Sequence, residues 1–343
     1  MRRAFLAVIV LSLAFAAAGC PCVRSAVNAS PDLRWWLFAN FGAQKMCPEM
    51  LKRGVPLKLQ ALGTASVGRF FPNQCVVQVD DARRVIVMSA SGTGYVTLPV
   101  ARRVGFYVGM SVEYMPDFRL EEDATYVWGN FSRFVSQPDM RIVGVENPLV
   151  NLATRTPVGE VATAIANGLI ASEIGKGFTV VRHADGDDFA MGHLEPPQSP
   201  KRQFVKGRGH VVLANDLTEV HGQSRDYLGP FEIADNDVAL FFHAKVDGAP
   251  LVYGVVERSV GEAWRRAYEG AQPIAPPPGP LLSQGVLGLG EANLRFPLQP
   301  GTYYVVVENQ APAPFAPLGV PLPPIATSEQ VGYVSYSIEL GDR

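Results

Sequence analysis

The chain has 343 residues, 48% of them hydrophobic and 18% charged, with 30 basic side chains against 32 acidic ones. That apolar share is enough for packed cores and excludes a wholly disordered chain. The balanced charge lacks the basic excess of a nucleic-acid binder. At ~100–200 residues per domain, the length predicts two domains.

The first twenty residues, MRRAFLAVIVLSLAFAAAGC, join Arg2 and Arg3 to an apolar run, Ala4–Phe15, and then to small residues. This is the pattern of a secretory signal peptide, and the apolar run is shorter than the ~20 residues a spanning helix needs. Ala17-Ala18-Gly19-Cys20 resembles a bacterial lipoprotein lipobox, departing from it at Ala17, where Leu is usual. The resemblance implies a signal peptide over residues 1–19 and lipidation of Cys20. Ordinary cleavage near Gly19 and a twin-arginine signal at Arg2-Arg3 are the alternatives. Pro21 replaces the acid that commonly retains lipoproteins at the inner membrane, which favours the outer membrane. Residues 20–30 are small and polar and read as a lipidated tether.

Export permits disulfides. With Cys20 acylated and Cys22 in the tether, Cys47 and Cys75 are the expected pair. They lack a C-x-x-C arrangement and a neighbouring His, which argues against a metal site there.

Ser30-Pro31-Asp32 is a helix start, with a hydroxyl N-cap, Pro at the first helical position and an acid in the first turn. Leu33, Trp36, Leu37 and Phe41 follow at helical spacing, and a helical turn ends near Gly54. Between residues 55 and 130, β-branched and aromatic runs predict strands around 76–79, 85–88, 94–98, 104–108, 112–114 and 125–128. Asp80-Asp81 and Ser91-Gly92 read as turns, and Glu121-Glu122-Asp123 as a solvated charge run. Thr156-Pro157 opens a helix with Val158, Val161, Ala162, Ile165 and Leu169 on one face, and Gly175 stops it. A strand follows at Phe178–Val181. Residues 31–195 therefore read as an α+β domain, a curved antiparallel sheet with a helix laid over it.

Pro196, Pro197 and Pro200 mark 196–203 as a linker. Residues 204–343 supply about seven strand-like runs and a short helix near 262–268, enough for an all-β, jelly-roll-like sandwich. The stretch Leu294–Asn309, with Pro300-Gly301-Thr302-Tyr303-Tyr304-Val305, and the ending Tyr336–Leu340 resemble the last strands of bacterial pre-peptidase C-terminal domains. The match covers about 45 residues and is interrupted by the Pro-rich stretch Ala311–Pro324. That family is a non-catalytic accessory module of secreted proteins, so the resemblance implies context rather than activity.

Catalytic signatures are absent: no G-x-S-x-G, no H-E-x-x-H, no P-loop. Gly92-Thr93-Gly94 and Gly288-Leu289-Gly290 read as turns. The five histidines, His183, His193, His210, His221 and His243, are scattered. Weak metal candidates cluster at His183, Asp185, Asp187 and His193, where oxygen ligands around Gly186 suit Ca²⁺ and the histidines Zn²⁺. An ordinary Asp-Gly-Asp turn explains them more simply. Trp35, Trp36, Trp128, Trp264, Tyr303 and Tyr304 are candidates for a sugar or lipid groove, or for cores.

These signals favour a non-catalytic envelope lipoprotein, a binding or assembly module with no cofactor. It would be held to the membrane by its lipid anchor, and its partner would be an envelope protein or glycan rather than nucleic acid. A secreted hydrolase with an accessory sandwich, or a periplasmic lipid carrier, are the rival readings.

Overall fold

A computed structural model of the chain describes residues 21–58, 65–98, 102–147, 167, 170–205, 207, 209–310 and 330–343. The signal region, Cys20, most of the helix expected after Thr156 and the Pro-rich 311–324 insertion lie outside the described residues.

The protein is mostly antiparallel β-sheet with few helices. Among the described residues three helices come first: α1 (Pro21–Ala29), α2 (Pro31–Leu37) and α3 (Ala43–Leu51), with a π-helical turn, Phe38–Gly42, joining the last two. The expected start at Ser30 is present, its hydroxyl accepting the Leu33 N–H at 3.3 Å. The tether expectation is corrected: residues 21–29 are a helix seated on the sheet. Val27 is buried, and the Asn28 side chain both donates to the Leu120 carbonyl and accepts its N–H, at 2.8 and 3.0 Å. A polar composition concealed a helix whose Val23 and Val27 lie one turn apart.

Seven strands follow in a sequential meander: β1 (Val55–Leu57), β2 (Gly68–Asp80), β3 (Val85–Leu98), β4 (Arg102–Leu120), β5 (Ala124–Val145), β6 (Phe178–His183) and β7 (Gly186–Met191). The long β4–β5 pair carries four register shifts, which bend and curl the sheet. The turn expected at Asp80-Asp81 is there, but Ser91-Gly92 is not a turn. Both residues, with Thr93 and Gly94, run through the middle of β3, paired on each side. Their small side chains admit close neighbours rather than reversing the chain. Residues 170–174 are helical, and the Gly175 N–H closes on the Ala171 carbonyl at 2.8 Å, so that helix stops where expected.

Residues 196–203 hold neither helix nor strand. Beyond them lie β8 (Val211–Val220), β9 (Ser224–Ile233), β10 (Val238–Gly248), β11 (Leu251–Glu257), α4 (Arg258–Glu269), β12 (Ser283–Leu287), β13 (Gly290–Phe296), β14 (Gly301–Asn309) and β15 (Gly332–Asp342). They form two four-stranded sheets, ordered β13-β10-β15-β8 and β12-β11-β14-β9. Alternate residues of both, including Leu228, Val305, Val307, Phe242, Val246 and Ile338, meet in one buried core. The short β12, with its exposed Val286, is a strand that the residue pattern did not signal. Gly288-Leu289-Gly290 is a turn, with Gly290 at φ 93°.

Buried contacts cross from the seven-stranded sheet to the later strands. Arg69 of β2 grips Asp226 of β9 through two bonds, at 3.0 and 2.7 Å, with both side chains 4% exposed. Tyr95 donates to the same carboxylate at 2.6 Å and accepts the Tyr227 N–H at 2.8 Å, and Thr218 donates at 2.9 Å. Burial, with Asp226 alongside, pushes the Tyr95 hydroxyl well above the tyrosine range, so it remains a donor. The end of α4 lies against Gly105 of β4, where an added Cβ would fall 1.7 Å from the Glu269 carbonyl oxygen. Phe71, Tyr95, Tyr227, Trp264, Tyr268 and Tyr304 complete one aromatic core drawn from both sides of the linker.

Candidate metal centre

Side chains at odd positions of β10 face away from the sandwich core. Leu240, Phe242 and Ala244 are fully buried inside, which leaves Phe241 and His243 on the outer face. On the adjacent β15, Ser337 lies opposite His243 and Glu339 opposite Phe241. His210, just before β8, completes the group. Its Nδ1 is 2.8 Å from Glu339 Oε2, His243 Nε2 is 4.0 Å from the same oxygen, and the three ligand atoms all lie within 4.8 Å of one another.

Glu339 is fully buried although it points out of the sandwich, because the chain between the Pro-rich segment and β8 covers it. Gln203 and Phe204 donate their N–H groups to Asn215 Oδ1 at 2.6 and 3.2 Å, and the Gly207 N–H donates to Glu339 at 3.0 Å. Burial opposes the Glu339 charge. The Gly207 N–H, the Ser337 hydroxyl at 2.8 Å and the His210 ring outweigh it and hold the carboxyl below its usual range. An ionised carboxylate therefore faces two imidazoles.

His243 is oriented as a ligand. Its Nδ1 lies 2.6 Å from Asn293 Oδ1, an acceptor, so Nδ1 is the donor, and in the neutral ring Nε2 holds the lone pair. That Nε2 is buried and has no hydrogen-bond partner among the described residues. This is the outer partner that metal-bound histidines ordinarily have. Phe241 packs against the His210 ring at 4.4 Å between centroids and stacks on His243 at 6.5 Å.

A tetrahedral Zn²⁺ with bonds of 2.0–2.1 Å places its donors about 3.3 Å apart. The 2.8 Å contact must open and the 4.0 Å contact close, each by less than 1 Å, and the two imidazole nitrogens, within 4.8 Å of one another, must come to the same spacing. His210 must also pass its Nδ1 proton to Nε2. Two imidazoles and one carboxylate suit Zn²⁺, Ni²⁺ or Cu²⁺ and not Ca²⁺, which takes oxygen ligands.

The candidates read from sequence lie elsewhere. His183 and Gly186 pair across the β6–β7 hairpin, with Ala184 and Asp185 at its tip. Its acids meet arginines: Asp187 with Arg182 at 2.7 Å, and Asp185 and Asp188 with Arg202 at 3.2 and 2.9 Å. His193 meets Glu195 and Asn130 and stacks on Trp128. Trp128, Trp264, Tyr303 and Tyr304 are buried, while Trp36 is exposed. Cys47 and Cys75 form the expected disulfide, with Cα atoms 5.3 Å apart, tying α3 to β2. Cys22 is exposed on α1. The sequence reading missed the convergence of His210, His243 and Glu339. Its one visible trace was a polar residue at alternate positions of two otherwise apolar strands. No protein-family model and no curated protein matches this chain.

Proposed function

We propose that this is an exported binding module that holds one divalent transition metal of the Zn²⁺, Ni²⁺ or Cu²⁺ class through His210, His243 and Glu339. The observation that carries the reading is His243, whose ring is fixed by Asn293 while its buried Nε2 faces an ionised glutamate with no partner of its own. The Cys47–Cys75 bridge fits an oxidising compartment. Within this reading Cys20 carries the lipid anchor at the outer membrane. The N-terminal half serves as an α+β body, and the later strands form a jelly-roll-like accessory sandwich akin to pre-peptidase C-terminal domains.

The test uses the untagged Cys20→Ser chain, stripped with chelator and titrated with Co²⁺ and Zn²⁺. One equivalent of Co²⁺ should give the visible bands of a four-coordinate site, and Zn²⁺ should abolish them. His243→Ala and His210→Ala should each lose them, whereas His183→Ala and His193→Ala should keep them. Unchanged spectra in His243→Ala, or no stoichiometric uptake by the parent chain, would refute the assignment.

A further inference from the structure

A second site lies away from the histidines, in a cavity of about 500 Å³ at the seam between β4–β5 and the later strands. Arg103 of β4 forms part of its wall and is only 2% exposed. Its Nη2 donates to the Gln272 carbonyl at 2.9 Å, and its guanidinium lies over the Tyr268 ring at 4.2 Å. Its Nε and Nη1 have no hydrogen-bond partner among the described residues. The nearest acid, Glu146, stands 3.7 Å from Nε, beyond hydrogen-bond length. A buried cation with unused donors is costly to maintain unless something completes its shell.

The surrounding charges define what fits. Glu146 also meets Arg102 at 3.2 Å, and Glu308 meets Arg225 at 2.7 Å. One guanidinium and two carboxylates line the cavity, and Arg102 and Arg225, outside the lining, offset the two carboxylates, leaving one positive charge, that of Arg103. A monoanion balances it, whereas a doubly charged phosphate would set excess negative charge beside Glu146 and Glu308. The remaining wall mixes the amides of Gln223 and Gln310 with apolar Ile274. We infer that this cavity binds a small monocarboxylate whose body carries amide or hydroxyl groups, with Arg103 as the carboxylate-recognising residue. The site stands independently of the metal centre.

N-acetylalanine and its uncharged amide are the probes, titrated into the Cys20→Ser chain by calorimetry and NMR. The acid should bind saturably at one site and the amide should not. Arg103→Met should abolish binding. Because that change sits in a packed seam, the exposed Gln223 supplies a second pair of variants. Gln223→Glu should weaken binding several-fold and Gln223→Lys tighten it, both with unchanged melting temperature. Equal binding of acid and amide, retained binding in a folded Arg103→Met chain, or no saturable binding at tens of millimolar acid would each overturn the proposal. So would Gln223 variants that leave the affinity unmoved.

Discussion

Replacing Asp226 by Asn removes one charge from the contact that joins β2 to β9. The carboxylate accepts four hydrogen bonds: two from Arg69, one from Tyr95 and one from Thr218. In the variant one carboxylate oxygen becomes an NH2 donor, so a single uncharged amide oxygen, the Tyr336 hydroxyl, at 3.1 Å, and the Gly54 carbonyl, at 3.4 Å, are left to accept from the buried Arg69 guanidinium. Removing one partner of such a buried pair costs about 3–5 kcal/mol. That is a large part of the ~5–15 kcal/mol that holds a typical protein folded. If the whole body melts as one unit, ~2 cal/mol/K of unfolding entropy per residue over about 300 residues converts this into a fall of about 5–8 °C. Calorimetry and urea unfolding of the Cys20→Ser chain measure both quantities. The double replacement Arg69→Met with Asp226→Leu should recover much of the loss, because no charge is left stranded. A loss under about 1 kcal/mol for Asp226→Asn would refute the account. So would a biphasic melt in which the seven-stranded sheet is unaffected.

The same carboxylate sets an acid limit. Burial opposes its charge, but Arg69 and the hydroxyl donors prevail and hold its folded pKa below the unfolded value of about 3.9. Its stabilising contribution is therefore complete above that value and lost as pH falls through the folded one. Glu113, held to about 2 by hydrogen bonds from Arg83 and Arg133, acts in the same direction. The melting temperature should drop steeply below about pH 4, and Asp226→Asn should flatten that drop, as pH-dependent calorimetry would show. Cys75→Ser opens a loop of 28 residues and should cost roughly 3–4 kcal/mol in urea unfolding. Trypsin should cut first at Lys201, since Arg202 is held by Asp185 and Asp188. The fragments should co-elute on size exclusion until urea separates them, because the aromatic core draws on both.

Local signals were well preserved in the sequence. The Ser30 cap, the Asp80-Asp81 turn, the stop at Gly175 and most strands are short-range chemistry. The cysteine pairing followed from counting. What escaped depends on distant partners. Ser91-Gly92 carries turn residues, yet β2 and β4 pair with it on both sides and keep it extended. The Pro-rich segment looks like a place where few contacts cross, because nothing within it reveals that Arg69 and Asp226 meet 157 positions apart. The metal candidates drawn from sequence were neighbours along the chain. His210 and Glu339 are separated by 129 residues, and only the β10–β15 register brings His243 to them.

The seating of α1 on the end of β4 fixes how far the molecule can reach. Ten flexible residues after an acylated Cys20 would allow a standoff of up to about 30 Å. Coiled into the nine residues of α1 and clamped by Asn28, the same stretch spans about 14 Å and has no slack. Under the proposed acylation, any pull at the bilayer is felt directly by the seven-stranded sheet, and the body sits flush with one face set toward the lipid. On that same proposal, a partner would be met at the membrane surface and not across a gap.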